Sequence, residues 1–123
     1  MICLDTNYLI RGLVSGSREG EELAAWITSG ERLVTPVIAW YEFLCGPVTA
    51  RQVETMRAFV SALIAFDASH AVMAAALYNA VGRKRRLRVD AMIAAVAIVA
   101  GASLATSNQE DFCEFVGHGL LLA

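Results

Sequence analysis

Four acids stand where a charge is hard to accommodate. Asp5 ends the apolar run Met1-Ile2-Cys3-Leu4, and Glu42 is the only charge in the stretch Val37 to Cys45. Asp90 precedes a run from Ala91 to Gln109 that carries no charge, and Asp111 lies in a polar loop after Ser103-Leu104-Ala105-Thr106. An ionised carboxylate is costly to bury unless it is paired, hydrogen-bonded or bound to a metal. Carboxylates that converge also raise one another's pKa unless a cation joins them. An all-oxygen ligand set suits Mg²⁺ or Mn²⁺ better than zinc. Such ions activate water and steady the oxygens of an in-line phosphoryl displacement, so the chemistry that fits is phosphodiester hydrolysis. Each acid also has a plainer reading, with Asp5, Asp90 and Asp111 as helix caps and Glu42 paired to a nearby base.

Whether the four meet depends on the elements that carry them. The apolar start reads as a buried strand that delivers Asp5-Thr6-Asn7 to its C-terminal end, and helical spacing follows over Tyr8 to Val14. Beyond the loop Ser15 to Gly20, an amphipathic helix is expected over Glu21 to Ser29, with Leu23, Trp26 and Ile27 facing inward and Gly30 closing it. Arg32-Leu33-Val34-Thr35 reads as a second strand, and Pro36 suits the first turn of a helix over Val37 to Cys45 that Gly46-Pro47 stops. A longer helix spans Thr49 to Leu63, a brief strand Ile64 to Asp67, and an Ala-rich helix Ser69 to Val81. Asp90 opens a helix to about Ala100, Ser103 to Thr106 is a strand, Ser107 and Glu110 fit a capping box, and Leu120 to Leu122 form a last strand.

Strands alternating with helices predict one α/β domain over residues 1–123 with a mostly parallel central sheet. Asp5 and the loop from Thr106 to Asp111 both follow strands, so both belong at the sheet edge where ligands bind in open parallel folds.

Composition narrows the classes. Hydrophobic residues make up 57% and mean hydropathy is +0.53, which leaves apolar surface for a partner or a second copy. The uncharged run after Asp90 includes Gly101, Ser103, Thr106, Ser107 and Asn108, so no transmembrane span is expected, and Met1-Ile2-Cys3-Leu4 lacks a signal-peptide n-region. The expected location is the cytoplasm. Cys3, Cys45 and Cys113 are widely spaced among apolar residues and read as buried free thiols. His70 and His118 lack metal-ligand spacing and read as structural. Trp26, Trp40, Tyr41 and Phe43 read as core or dimer interface, and neither a P-loop nor a nucleophile-elbow motif occurs.

The blocks Leu4-Asp5-Thr6-Asn7-Tyr8-Leu9, Glu42-Phe43-Leu44-Cys45-Gly46, Asp90-Ala91-Met92-Ile93-Ala94-Ala95-Val96-Ala97 and Thr106-Ser107-Asn108-Gln109-Glu110-Asp111-Phe112 resemble, in order and spacing, the four signature blocks of PIN-domain ribonucleases. The likeness extends along essentially the whole chain and is nearest to the VapC-type toxins of toxin-antitoxin pairs. It implies an α/β/α sandwich, Mg²⁺- or Mn²⁺-dependent endonucleolytic cleavage of RNA, homodimerisation, and inhibition by a cognate antitoxin. It carries the metal-binding role onto Asp5, Glu42, Asp90 and Asp111, with Asn7, Thr106 and Asn108 as polar support. Asn108 departs from the pattern, since many members carry another acid there.

A second departure is the basic segment before Asp90. Arg83, Lys84, Arg85, Arg86 and Arg88 are half of the chain's ten bases. They are expected either to form a solvated or antitoxin-binding face or to contact RNA phosphates beside the site. Two other functions remain open at this level. One is a different phosphate-handling α/β domain, an aspartyl phosphatase or receiver module, although Asn7 stands where the phosphatase pattern wants a second Asp and Lys84 is the only lysine. The other is an inactive RNA-binding protein that kept the fold.

Overall fold

Strand β1 (Ile2–Leu4) is buried along its whole length and lies at the centre of a five-stranded sheet. The computed structural model describes all residues from 1 to 123. β1 pairs with β2 (Leu33–Pro36) on one side and β4 (Ser103–Ala105) on the other. β3 (Ala62–Ile64) and β5 (Leu121–Leu122) complete the order β3-β2-β1-β4-β5, and every pairing is parallel. Parallel strands need crossovers and covered faces. Seven helices supply them, giving the expected α/β/α sandwich: α1 (Thr6–Arg11), α2 (Arg18–Thr28), α3 (Val37–Cys45), α4 (Ala50–Phe59), α5 (Ala68–Ala80), α6 (Arg88–Ala100) and α7 (Gln109–Phe112).

Short 3₁₀ turns at Arg85–Leu87 and Cys113–His118 flank α6 and extend α7. The core runs from β1 and β4 through Leu9, Phe43, Met56, Leu87, Ile93, Phe112 and Phe115, all fully buried. α5 and α6 lie along each other. α1 and α2 meet at Gly12, where an added Cβ would fall 2.4 Å from the Tyr8 backbone oxygen and 2.2 Å from Leu23 Cδ1, so a side chain there would force the backbone to shift. No helix is long and apolar enough to cross a membrane.

Several boundaries differ from the sequence reading, each for a local reason. α2 starts at Arg18 rather than Glu21 because Ser17 caps it, its hydroxyl accepting from the Gly20 amide at 2.9 Å. Ile27 lies on its exposed side rather than facing inward. Pro36 ends β2 in an extended conformation instead of entering α3. The helix expected to Leu63 stops at Phe59, because Val60 turns extended and the Ser61 amide donates to Leu33 O at 2.8 Å. β3 is therefore Ala62–Ile64, upstream of the expected strand, in register with β2. The Ser107 to Glu110 capping box does not form, since Ser107 Oγ donates to Glu19 Oε1 at 2.8 Å instead. Of the thiols, Cys3 is buried, but Cys45 and Cys113 are exposed.

Candidate active site

The C-terminal ends of β1 and β4 build the floor of the site. The Asp5 amide donates to Ala105 O at 3.0 Å, which ties the two strand ends together. Asp5 is also the cap of α1, because its Oδ1 accepts from the Thr6 amide at 2.8 Å. The expected capping role is thus real and leaves Oδ2 for other partners. Oδ2 accepts from Thr106 Oγ1 at 2.7 Å and Asn7 Nδ2 at 3.2 Å. Thr106 Oγ1 accepts in turn from the Asn108 amide at 3.0 Å, and Asn7 Oδ1 accepts from the Ser107 amide at 2.9 Å. Asp5, Asn7, Thr106 and Asn108 therefore form one bonded group. Burial pushes the Asp5 carboxyl above the usual range, the bonds from Thr106 and Thr6 pull it back, Glu42 raises it and Asn7 lowers it.

α3 buries Ala39, Trp40 and Phe43 and so turns Glu42 away from the core. There Glu42 Oε1 accepts from Thr6 Oγ1 at 2.9 Å, which brings the second acid against the α1 start. Asp90 is the third residue of α6 rather than its opening residue, and its side chain makes no cap. It is half-buried, and its carboxyl is pushed up to about 6 by desolvation and then by Asp5, Asp111 and Glu42, with Arg86 partly offsetting the rise. Hydrogen bonds through Thr106 and Asn108 link Asp5 to Asp111, and the bond from Thr6 sets Glu42 beside the same strand end, so these acids border one region whose charges reach Asp90.

Asp111 sits at the rim on α7. Its Oδ2 accepts from Asn108 Nδ2 at 3.1 Å, and its Oδ1 accepts from Arg86 Nη1. Arg86 Nη2 also donates to Glu114 Oε2 at 3.1 Å, and Glu114 Oε1 accepts from Lys84 Nζ. The Lys84 and Arg86 charges hold the Glu114 carboxyl below its usual range. The basic segment is thus divided in its contacts. Lys84 and Arg86 are engaged by acids of this chain, and Arg83 donates to Asn79 Oδ1 at 3.3 Å from a left-handed backbone (φ 58°). Arg88 borders an apolar hollow with Phe66, Tyr78 and Met92.

Beside the bonded group lies a polar cleft of about 240 Å³ lined by Tyr8, Arg18, Glu19, Thr106, Ser107, Gln109 and Glu110. On the other side an apolar groove of about 420 Å³, lined by Val37, Ile38, Tyr41, Val89 and Met92, reaches Glu42. Tyr41 is largely exposed, unlike Trp40 and Phe43 in the core. His70 is structural, as expected, since its Nδ1 accepts from the Asp67 amide at 3.0 Å in a capping box.

The donor set suits a hard divalent ion, because carboxylate, amide and hydroxyl oxygens are all that converge. Burial and then the Asp5 charge push the Cys3 thiol up to about 12, so it offers no thiolate. Asp5, Glu42 and Asp111 hold their own partners here, Asp90 has none, and no three of the acids stand at the spacing of ligands on a single ion. Three participants escaped the sequence reading. Thr6, inside the Asp-Thr-Asn triplet, holds Glu42, while Glu19 and Glu114 bind Ser107 and Arg86 from separate segments. Only Thr6 carried a local signal, its place between two residues already singled out.

The family model of the PIN domain matches residues 2–117. No curated protein sequence matches the chain. Among solved structures, a toxin-antitoxin complex from Klebsiella pneumoniae holds a chain 30% identical to this one, with a TM-score of 0.71 over 91% of this chain and 90% of that one. VapBC-1 from nontypeable Haemophilus influenzae is similar in fold at 20% identity, with a TM-score of 0.74 over 100% and 97% of the two chains. DNA-bound VapBC from Salmonella typhimurium is likewise similar at 20% identity, with a TM-score of 0.73 over 99% and 96%.

Proposed function

The chain belongs to the PIN domain family, and from that premise we propose that it is a divalent-metal-dependent endoribonuclease, the toxin of a VapBC-type pair. The observation that carries the reading is Asp90, half-buried among three other acids and unrelieved by a cap. A carboxylate in that position calls for a cation.

Asp5, Glu42, Asp90 and Asp111 are the residues assigned to hold Mg²⁺ or Mn²⁺. An ion bound there would supply activation of water and charge stabilisation at a phosphodiester. Asn7 and Thr106 orient Asp5, Thr6 orients Glu42, and Asn108 orients Asp111. The polar cleft beside Thr106 gives single-stranded RNA a place to lie next to the acids. With these acids neutralised, bases outnumber the remaining acids, which favours a polyanion. Arg85 and Arg88 are the members of the basic segment assigned to RNA phosphates, because Lys84 and Arg86 are engaged within the chain.

A cognate antitoxin and a second copy of the chain are the proposed protein partners, in the cytoplasm. The exposed Val37, Tyr41 and Val89 around the apolar groove support such contacts, as does the antitoxin bound in the Klebsiella complex.

Digestion of total RNA with Mg²⁺ or Mn²⁺, followed by mapping of the cleaved ends, tests the reading. The expected result is discrete internal ends that vanish in EDTA and in Asp90→Asn. Cleavage that persists in EDTA, or intact RNA with either metal, would overturn it.

A further inference from the structure

The fourth acid of the site is not free to receive a cation, because it already has one. Arg86 Nη1 donates to Asp111 Oδ1, while Nη2 is held by Glu114. The turn that carries Arg86 is anchored by the next residue, Leu87, which is fully buried in the core. A fixed turn and a second acidic tether therefore aim this guanidinium at Asp111. Its charge also reaches Asp90, where it offsets part of the repulsion from the other acids. Arg86 thus supplies part of the positive charge that these acids would otherwise draw from a divalent ion.

We propose that Arg86 is an exchangeable counter-ion of Asp111, which a divalent metal must displace for the fourth carboxylate to join the site. This rests on the metal-dependent reading above and adds to it a residue that positions Asp111. The exchange is feasible because the pair is weak. The Arg86 side chain is 54% exposed and that of Asp111 26% exposed, and pairs in such surroundings are mostly screened by water. Glu114 retains Arg86 after the exchange, so the displaced guanidinium stays at the rim rather than leaving the site. Without the pair, Asp111 would face Asp90 uncompensated in the metal-free protein; with it, ion binding is weakened by the competition.

Calorimetric titration of Mn²⁺ into the wild-type chain, Arg86→Gln, Asp111→Asn and the double variant tests the competition as a thermodynamic cycle. The control is Arg85→Gln, which removes the same charge from the neighbouring residue. Arg86→Gln is expected to bind Mn²⁺ about two- to fivefold more tightly, the upper part of the range for a screened pair. The gain should vanish when Asp111 is already Asn, and Arg85→Gln should produce less than half of it. Unchanged or weaker Mn²⁺ binding by Arg86→Gln would overturn the exchange. So would an equal gain in the Asp111→Asn background or from Arg85→Gln, since either would mean a general field effect. Failure of the wild-type chain to bind Mn²⁺ would instead overturn the metal reading beneath the proposal, which keeps the two failures distinct.

Discussion

Asp5 and Asp90 share one site and are held in opposite ways. Asp5 is buried, and the Thr6 amide, Thr106 Oγ1 and Asn7 Nδ2 share its two oxygens. Asp90 is only half-buried, yet it is the acid whose carboxyl reaches about 6, because desolvation and three like charges act on it without a comparable set of donors. Burial alone therefore does not decide which acid is under stress; the supply of donors does. The Asp5 side was built by the fold and is satisfied within it. The Asp90 side is left wanting positive charge, which Arg86 supplies in part.

The largest effect that separates the two sides should come from removing each charge while keeping its shape. Asp5→Asn and Asp90→Asn are both expected to lose at least about 100-fold in RNA cleavage, the scale of a lost electrostatic contact at a reacting centre. Their effects on the metal-free fold should differ in sign. Asn at position 5 presents an NH₂ group toward donors that need an acceptor, so stability should fall by about 1–3 kcal/mol. Asn at position 90 removes a charge repelled by its neighbours, so stability should hold or rise. Urea unfolding in EDTA checks this, and equal destabilisation by both variants would erase the distinction.

Next in size is Thr106→Ala, which takes a donor from Asp5 and an acceptor from the Asn108 amide at once. A loss of about 1–2 kcal/mol is expected, again by denaturant unfolding. Thr6→Ala leaves only the more exposed Glu42 without its bond and should cost less. The reverse order would mean that the buried group is not the stiffer half.

This asymmetry also marks what the chain revealed before folding. The parallel sheet was legible, because apolar strands alternate with amphipathic helices and Asp5, Glu42 and Asp90 stand at the end, inside and at the start of apolar runs. Asp5, Asn7 and Thr106 meet as their places after neighbouring strands required. The partners of Ser107 and Arg86 were not legible, since Glu19 and Glu114 come from segments whose charges look like ordinary surface acids. The end of α4 was missed for a similar reason: Phe59, Val60 and Leu63 continue the helical spacing, but pairing with β2 claims the chain from Ala62 onward. Periodicity reports local preference, and the sheet outweighed it.

A smaller effect should appear with pH. The folded Asp90 carboxyl is raised from the ordinary 3.8 to about 6, and Asp5 is raised as well. The metal-free folded state then binds more protons than the unfolded chain between these values, so stability should fall as pH rises from about 4 to 6. After allowance for solvent screening of a half-exposed group, the change is about 1 kcal/mol. Glu22, Asp67 and Glu114 are shifted the other way, so their stabilisation is lost as pH falls below their ordinary range. Thermal unfolding in EDTA should therefore show an optimum near pH 4, where the two trends meet, and Asp90→Asn should flatten its alkaline side. An unchanged profile in that variant would place the stress elsewhere.

The weakest expected effect concerns how the charged rim meets RNA. Each phosphate contact to a single strand releases counterions and contributes a slope of about 0.7 in the logarithm of affinity against that of salt concentration. Arg85 makes no ion pair in the chain, whereas Lys84 is tied to Glu114. Arg85→Gln should therefore lower the salt slope of RNA binding by about 0.7, and Lys84→Gln by less, when both are measured by fluorescence anisotropy in EDTA to prevent cleavage. If Lys84→Gln proved the more damaging, the Glu114 pair would have to open on RNA binding, and the rim would adapt to its ligand. Equal and negligible changes would remove the basic segment from the RNA surface and leave the polar cleft beside Thr106 as the principal contact.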